Sequence, residues 1–284
     1  MINYFFKQKT KKIISSPPTL IDIKISQRVL FSIFTRYGDT IIDLVVINEF
    51  IERYPEKEYL ILCPKQMKPY VNELLPNIKC IAFNKRNLFE IFKVCRLLKK
   101  RKFNIGFNPW SNGLDSSYLL SFCEKFLFYK DFDKPKHINH YQVIRKYLKL
   151  SEKKWVMNEL ISHKNYKNIL ICPQSTDSNR DLPKEKLDSL ILDFNKMYNQ
   201  PIITIASMNK SDFRDECNKF ILEKTADSSK NFLDLVKKSS LIVCPDSGPL
   251  HIALALKKDL LAFFRTSLPE IVINSDSYLK ILEK

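Results

Sequence analysis

The chain has 284 residues, 45% of them hydrophobic and 27% charged, with a formal net charge of +16. That length carries one large or two ordinary domains; its four glycines leave no glycine-rich nucleotide loop, neither G-x-G-x-x-G nor a Walker A sequence occurs, and no apolar run approaches the roughly 18 residues that span a bilayer. The positive excess points to an anionic partner: nucleic acid, an acidic lipid surface or a phosphorylated substrate, with lysines scattered along the whole chain accounting for part of it.

Residues 1–24 read as a basic leader. The segment lacks a continuous apolar core and a small-residue cleavage site, so it is expected to be untargeted and partly mobile. From about residue 27 strand-like and helix-like segments alternate. Strands are predicted over 28–34, 59–63, 79–83 and 104–107, and helices over 40–54, 67–75 and 88–102. Residues 131–140 are polar and irregular, 141–150 are helical, and a linker is expected near 150–167. Alternation then restarts, with strands over 168–172, 201–205, 241–244 and 260–264 and helices over 184–198, 211–223, 231–238 and 248–256. This order predicts an α/β protein of two Rossmann-like halves, 25–155 and 156–284, each with a parallel sheet covered by helices on both faces. A central cleft between two such halves is the expected ligand site. The seven cysteines include no C-x-x-C pair and several lie in apolar runs, which suits buried, reduced thiols of a cytoplasmic protein better than disulfides or metal ligands.

The most informative stretch is Cys244-Pro-Asp246-Ser247-Gly248-Pro249-Leu-His251, directly after the apolar run Leu241-Ile242-Val243. A buried strand ends in a turn and a helix opens at Pro249, whose missing N–H is no loss at a first helical position. The free N–H groups of that first turn and the helix dipole favour a phosphate there. Ser247 can donate its hydroxyl to the same anion, and His251 can add a second donor. The same residues also read as an ordinary strand–turn–helix joint with a side-chain cap. A second constellation lies at Thr35-Arg36-Tyr37-Gly38-Asp39-Thr40, where the first strand gives way to the helix beginning at Ile41. Asp39 there is either a helix cap or a carboxylate placed as a general base. Gly38 beside it lets another molecule approach the backbone closely.

Together these residues carry a resemblance. A strand followed by R-x-G-D (Arg36 to Asp39), paired with a late D-[TS]-G-P-x-H-x-A (Asp246 to Ala253), resembles the heptosyltransferase family, glycosyltransferase family 9. Arg53-Tyr-Pro before the second strand, Lys102-Phe-Asn-Ile-Gly-Phe107 at the fourth, and Asn179-Arg180-Asp-Leu-Pro183 fit the family's order, so the resemblance covers about residues 27–270. It implies a GT-B fold and an inverting, metal-independent transfer from a nucleotide-diphospho-sugar, ADP-heptose in the best-known members. It also implies that Asp39 is the base and that Asp246, Ser247, Gly248 and His251 form the diphosphate site. Arg180 becomes the cationic donor contact, and Arg36 and Gly38 lie on the acceptor side. The family's ribose-holding acid has its nearest counterpart in Asp212. Three departures stand out: Pro173-Gln174 where the family has Pro-Gly, Leu182 in place of a Trp, and Arg180 in place of a Lys. Arginine keeps the charge but changes reach and geometry.

Weaker signals remain. Asp131-Phe-Asp133 has the D-x-D form of a metal–diphosphate site in another glycosyltransferase class, and His137-x-x-His140 is too few ligands for zinc; a solvated loop and a linker are the simpler readings. No metal or cofactor is expected. Lys99, Lys100 and Lys102 end one helix, where the dipole favours cations, and could also meet an anionic membrane. The implied partners are the nucleotide-sugar, a lipid-linked lipopolysaccharide or surface-glycan acceptor, and the anionic inner face of the cytoplasmic membrane, with the protein peripheral on its cytoplasmic side. A basic nucleic-acid-binding module and an inactive GT-B-like assembly partner are the alternatives; no nucleic-acid motif is visible, and the aromatic residues sit in apolar periodic runs.

Overall fold

The computed structural model describes residues 14, 16–110, 113–129, 132, 138–153, 158–159, 165–198, 201–206, 217, 221–223, 228–273 and 278–282. The chain divides into two compact units, 1–153 and 154–284.

The first unit opens with α1 (Leu20–Ile25) and β1 (Arg28–Ser32), followed by α2 (Tyr37–Arg53), β2 (Glu58–Pro64), α3 (Lys68–Leu74) and β3 (Lys79–Phe83). It continues through α4 (Leu88–Arg101), β4 (Phe103–Phe107), α5 (Leu114–Leu120), β5 (Cys123–Leu127) and α6 (His140–Tyr147). The five strands are parallel in the order β3-β2-β1-β4-β5. Central β1 is buried from Val29 to Ser32, as a sheet covered on both faces requires. On one face an aromatic layer forms: Phe31 lies 5.7 Å from Phe50 of α2 and 5.9 Å from Phe107 of β4. On the other, Leu30, Leu60, Leu62 and Phe103 pack with Ile91, Val94, Cys95 and Leu98 of α4. Those four positions follow the i, i+3, i+4, i+7 stripe of an amphipathic helix. The helix starts cleanly because the Asn87 side chain accepts from the N–H groups of Phe89 and Glu90.

The second unit holds β6 (Asn158–Glu159), β7 (Asn168–Ile171), α7 (Lys184–Met197), β8 (Ile202–Ile205), β9 (Ile221–Glu223) and α8 (Ser229–Lys238). After these come β10 (Leu241–Pro245), α9 (Gly248–Ala255), β11 (Asp259–Phe263), α10 (Pro269–Val272) and β12 (Tyr278–Leu282). Its seven strands, again parallel, run β6-β12-β11-β10-β7-β8-β9. Leu187, Ile191 and Phe194 of α7 close one face over Ile169, Ile171, Ile203, Ile205, Leu241 and Val243. In α9 the run from Leu250 to Leu254 is buried throughout, which suits a helix apolar on all sides. All seven cysteines are free thiols, and all but Cys80 are buried.

The expected α/β class with two parallel sheets is what the chain adopts; several elements differ. Residues 221–223, expected at the end of a helix, pair with β8 as an edge strand. A short apolar run such as Phe220-Ile221-Leu222 suits either state, and an unfilled sheet edge decided it. Residues 16–24, expected in the leader, dock on the first unit. Ser16 bridges Phe126, Ile23 is fully buried, Thr19 and Asp22 form a capping box, and Asp22 pairs with Lys125 at 2.9 Å. The lysine and the hydrogen bonds donated by the Thr19 N–H and hydroxyl hold the Asp22 carboxyl at about 2. β5 is absent from the periodicity because Glu124 and Lys125 interrupt its apolar residues, yet both find partners, Glu124 in the Asn104 amide and Lys125 in Asp22. β12 likewise has no expected counterpart.

Candidate active site

In a parallel sheet, loops diverge where the strand order reverses, and a crevice opens at the carboxyl ends of the two strands concerned. In the second sheet that point lies between β7 and β10, which pair directly. The loop leaving β7 carries Arg180, and the turn leaving β10 carries Asp246. The two side chains meet there: Arg180 Nη1 lies 3.1 Å from Asp246 Oδ2. Ser267, in the loop after β11, donates its hydroxyl to the same oxygen at 2.5 Å. Asp246 is only 5% exposed, whereas the Arg180 side chain remains 38% exposed. The aspartate thus fixes the arginine and the serine, and Asp177 lies 3.8 Å from Nε of the same guanidinium, whose exposed part is open to solvent. A short helical turn (Ser178–Arg180), capped by Asp177, and the Ser175 N–H bond to Asp181 hold the arginine loop. Leu182, where the family pattern has a Trp, is buried in the sheet core and its N–H bonds the Pro173 carbonyl at 2.9 Å.

Ser247 is the residue before α9 but makes no cap; its hydroxyl donates to the Pro245 carbonyl at 3.1 Å. The helix begins at Gly248, the start of its expected span 248–256. Pro249 has no N–H and the Leu250 N–H is taken by the Ser247 carbonyl at 3.1 Å, so Gly248 is the residue of this turn that offers an N–H, at the same strand end as Arg180. His251, expected beside the anion, is 6% exposed and sits in the buried part of α9. Asp212 lies outside the described residues, as do Asp131, Asp133 and His137.

In the first sheet the order reverses between β1 and β4. The loop after β1 carries the R-x-G-D residues. Here α2 begins at Tyr37 with Arg36 preceding it, so Asp39 is the third residue of the helix and not its cap. The helix begins earlier than expected because Arg36 is extended while Tyr37, Gly38 and Asp39 already follow helical geometry, and no glycine of the described chain has a positive φ. Asp39 is partly exposed at this end, where its carboxylate gains from the helix dipole and accepts from the Thr35 hydroxyl at 3.3 Å. Arg36 is exposed.

Beneath Asp39 lies a buried polar layer that sequence reading missed. Asp43, one turn further into α2, is fully buried, and neither of its oxygens has a hydrogen-bond partner among the described residues. Burial first, and the Asp39 carboxylate second, push the Asp43 carboxyl well above the usual range. Burial first, and then the Asp43 and Asp39 carboxylates, push the Tyr129 hydroxyl up as well. Asn108, after β4, accepts from the Tyr129 N–H at 2.8 Å and lies 3.1 Å from the Tyr147 hydroxyl. Ser116 joins the Ser32 carbonyl at 2.7 Å. One signal was available: Asp43 is the single acid in the apolar run Ile41 to Ile47. For Ser267 there was none, because only the fold brings the β11 loop over the β10 turn.

Among the described residues no group of three His, Cys, Asp or Glu side chains gathers as a metal site, and no helix is long and apolar enough to cross a membrane.

A family model, glycosyltransferase family 9 (heptosyltransferase), matches residues 122–273, more than half of the chain. No curated protein matches in sequence. Among solved structures, a glycosyl transferase family 9 protein from Veillonella parvula DSM 2008 aligns with a TM-score of 0.70 at 15% identity, covering 90% of this chain and 86% of that one. The E. coli ADP-heptose lps heptosyltransferase II aligns with a TM-score of 0.70 at 13% identity, covering 90% of each chain. E. coli heptosyltransferase WaaC with ADP gives 0.66 at 11% identity, covering 90% of this chain and 93% of that one. At such identities the likeness shows the fold: the α/β, GT-B architecture with two parallel sheets.

Proposed function

Because this chain belongs to glycosyltransferase family 9 (heptosyltransferase), we propose that it is an inverting glycosyltransferase. It moves heptose or a related sugar from a nucleotide-diphospho-sugar, ADP-heptose first among candidates, to a lipopolysaccharide or related surface-glycan acceptor. The observation that carries the reading is the Arg180–Asp246–Ser267 cluster at the start of α9, a cation locked in place beside a helix N-terminus. In this reading the second unit takes the donor and the first unit, with Arg36 and Gly38, takes the acceptor.

The acceptor hydroxyl attacks the anomeric carbon on the face opposite the diphosphate. Asp39 accepts the hydroxyl proton as the new C–O bond forms. The bond from the anomeric carbon to the diphosphate oxygen breaks, and the nucleoside diphosphate leaves with the bonding pair. Its added charge falls on the Arg180 guanidinium and on the Gly248 N–H that opens α9, donors already oriented before the reaction. Asp246 does not touch the anion in this scheme; it orients Arg180, and Ser247 shapes the turn. The charge stabilisation assigned to these groups needs no ion, so the transfer is proposed to be metal-independent, with the protein working at the cytoplasmic face of the membrane that carries its acceptor.

Three outcomes test the reading. A thermal-shift screen of ADP-, GDP- and UDP-sugars is expected to show stabilisation by the ADP compounds; no shift with any of them would overturn the donor assignment. Arg180→Ala is expected to weaken ADP binding by about 10- to 150-fold, the equivalent of one charged hydrogen-bonding group at roughly 1.5–3 kcal/mol, measured by calorimetry. Chelator is expected to leave transfer unchanged; a loss restored by Mg²⁺ or Mn²⁺ would move the diphosphate onto Asp131 and Asp133.

A further inference from the structure

We infer that the outer face of α4 is a docking surface for an anionic lipid bilayer. The inner stripe of this helix, Ile91, Val94, Cys95 and Leu98, is buried against the first sheet. Its opposite side carries Phe89, 87% exposed, and Phe92, 58% exposed. These two lie three residues apart and so form one patch on the helix surface. Lys93, Arg96 and Lys100 continue the same side, four, seven and eleven residues after Phe89, and all are exposed, as is Arg86 in the loop before the helix.

The charge on this side is uncompensated. Among the described residues Arg86, Lys93, Arg96 and Lys100 make no ion pair, while neighbouring cations do: Lys85 pairs with Asp115 at 3.0 Å and Arg101 with Glu58 at 3.1 Å. The single acid of α4, Glu90, is engaged by Lys65 at 2.8 Å and by the Asn84 N–H at 2.7 Å. A solvated helix face does not need exposed phenylalanine. Aromatic side chains standing proud beside a row of cations suit the headgroup boundary of a bilayer, where the rings enter the acyl edge and the cations meet acidic lipid.

The direction of the helix adds a consequence. α4 starts at the carboxyl end of β3, and α2 starts at the carboxyl end of β1, its parallel neighbour but one in the sheet. Phe89 and Phe92 therefore lie at the same end of the unit as Asp39. A bilayer touching them would present a lipid-anchored acceptor at the end where the base sits. That consequence rests on the proposed transfer; the docking surface itself does not.

The test is co-sedimentation of the full chain with vesicles of phosphatidylcholine alone and of phosphatidylcholine and phosphatidylglycerol in equal parts, across a salt series. Binding is expected to the anionic vesicles only, and to weaken as salt screens the charges. Each basic residue at such a surface contributes roughly fivefold, so Lys93→Glu/Arg96→Glu/Lys100→Glu is expected to reduce binding by well over tenfold. Phe89→Ser/Phe92→Ser is expected to reduce it by at least about tenfold and to remove the part that resists salt. Phe89→Trp is a second readout that removes nothing: its emission is expected to shift to the blue on adding anionic vesicles. Equal binding to both vesicle types, no binding at low salt, wild-type binding by the variants, or tighter binding to random single-stranded RNA than to vesicles would each overturn the inference. Thermal shift with ADP-sugars on the same variants separates the two readings. An unchanged shift with lost vesicle binding concerns this surface alone, and vesicle binding without any shift would sink the donor assignment while leaving the surface standing.

Discussion

Asp39→Asn is expected to lower sugar transfer by about 10²–10⁴-fold, the usual contribution of a positioned general base, with donor binding as in the wild type. The amide matches the carboxylate in size and can still accept the Thr35 hydroxyl, which the carboxylate takes at 3.3 Å. It cannot take a proton from an attacking hydroxyl. As Asp39 is not the cap of α2, a purely structural role would show instead as a lower melting temperature with turnover preserved. The discriminating measurement is kcat beside Tm and the affinity for ADP. A fall in kcat with the other two unchanged supports the base. Near-normal turnover would remove Asp39 from the chemistry and leave it a helix-dipole residue.

The second large effect concerns stability. Asp43 is buried without a hydrogen-bond partner among the described residues, and burial holds its carboxyl in the neutral form over an extended pH range. In the unfolded chain the same group ionises near 3.9. Between that value and the raised native one the folded state binds the extra proton, so stability falls as pH rises, by up to about 1.4 kcal/mol per pH unit. Below 3.9 the group costs nothing through this linkage, and above the native value the loss is complete. Asp43→Asn, neutral at every pH, is expected to flatten this slope. Asp43→Thr, whose hydroxyl can bond back to the preceding helical turn, is expected to stabilise the protein at pH 8 by about 1–3 kcal/mol, the cost of a buried unpaired polar group. For a domain of this size each kcal/mol is roughly 2–4 °C in Tm. Melting curves of both variants from pH 5 to 8 decide it; a wild-type curve as flat as that of Asp43→Asn would mean that Asp43 is ionised and paired in solution.

Reading Asp246 through its neighbours changes what its substitution should mean. Its carboxylate takes Arg180 at 3.1 Å and Ser267 at 2.5 Å, so a negative group beside the proposed anion site is already neutralised. Its loss would act through a displaced guanidinium and not through a lost ligand.

Local sequence was enough for the class and for most of the elements. Buried parallel strands such as Leu30 to Ser32 and Leu241 to Cys244 are short apolar runs between turn residues, and α4 and α7 carry helical apolar spacing, so periodicity alone identifies them. The two strand-end motifs were legible for the same reason: Asp39 and Asp246 follow recognisable strands and precede recognisable helices. What periodicity cannot carry is anything decided by a distant partner. β5 holds a glutamate and a lysine that only Asn104 and Asp22 make acceptable, residues 221–223 became a strand because an edge of β8 was open, and residues 16–25 gained order from Lys125 and Phe126. The pairing of Asp246 with Arg180 and Ser267 spans three loops far apart in sequence. The strand order of the sheet brings those loops to one point, and hydrogen bonds a few ångströms long depend on that point and not on the spacing of residues along the chain.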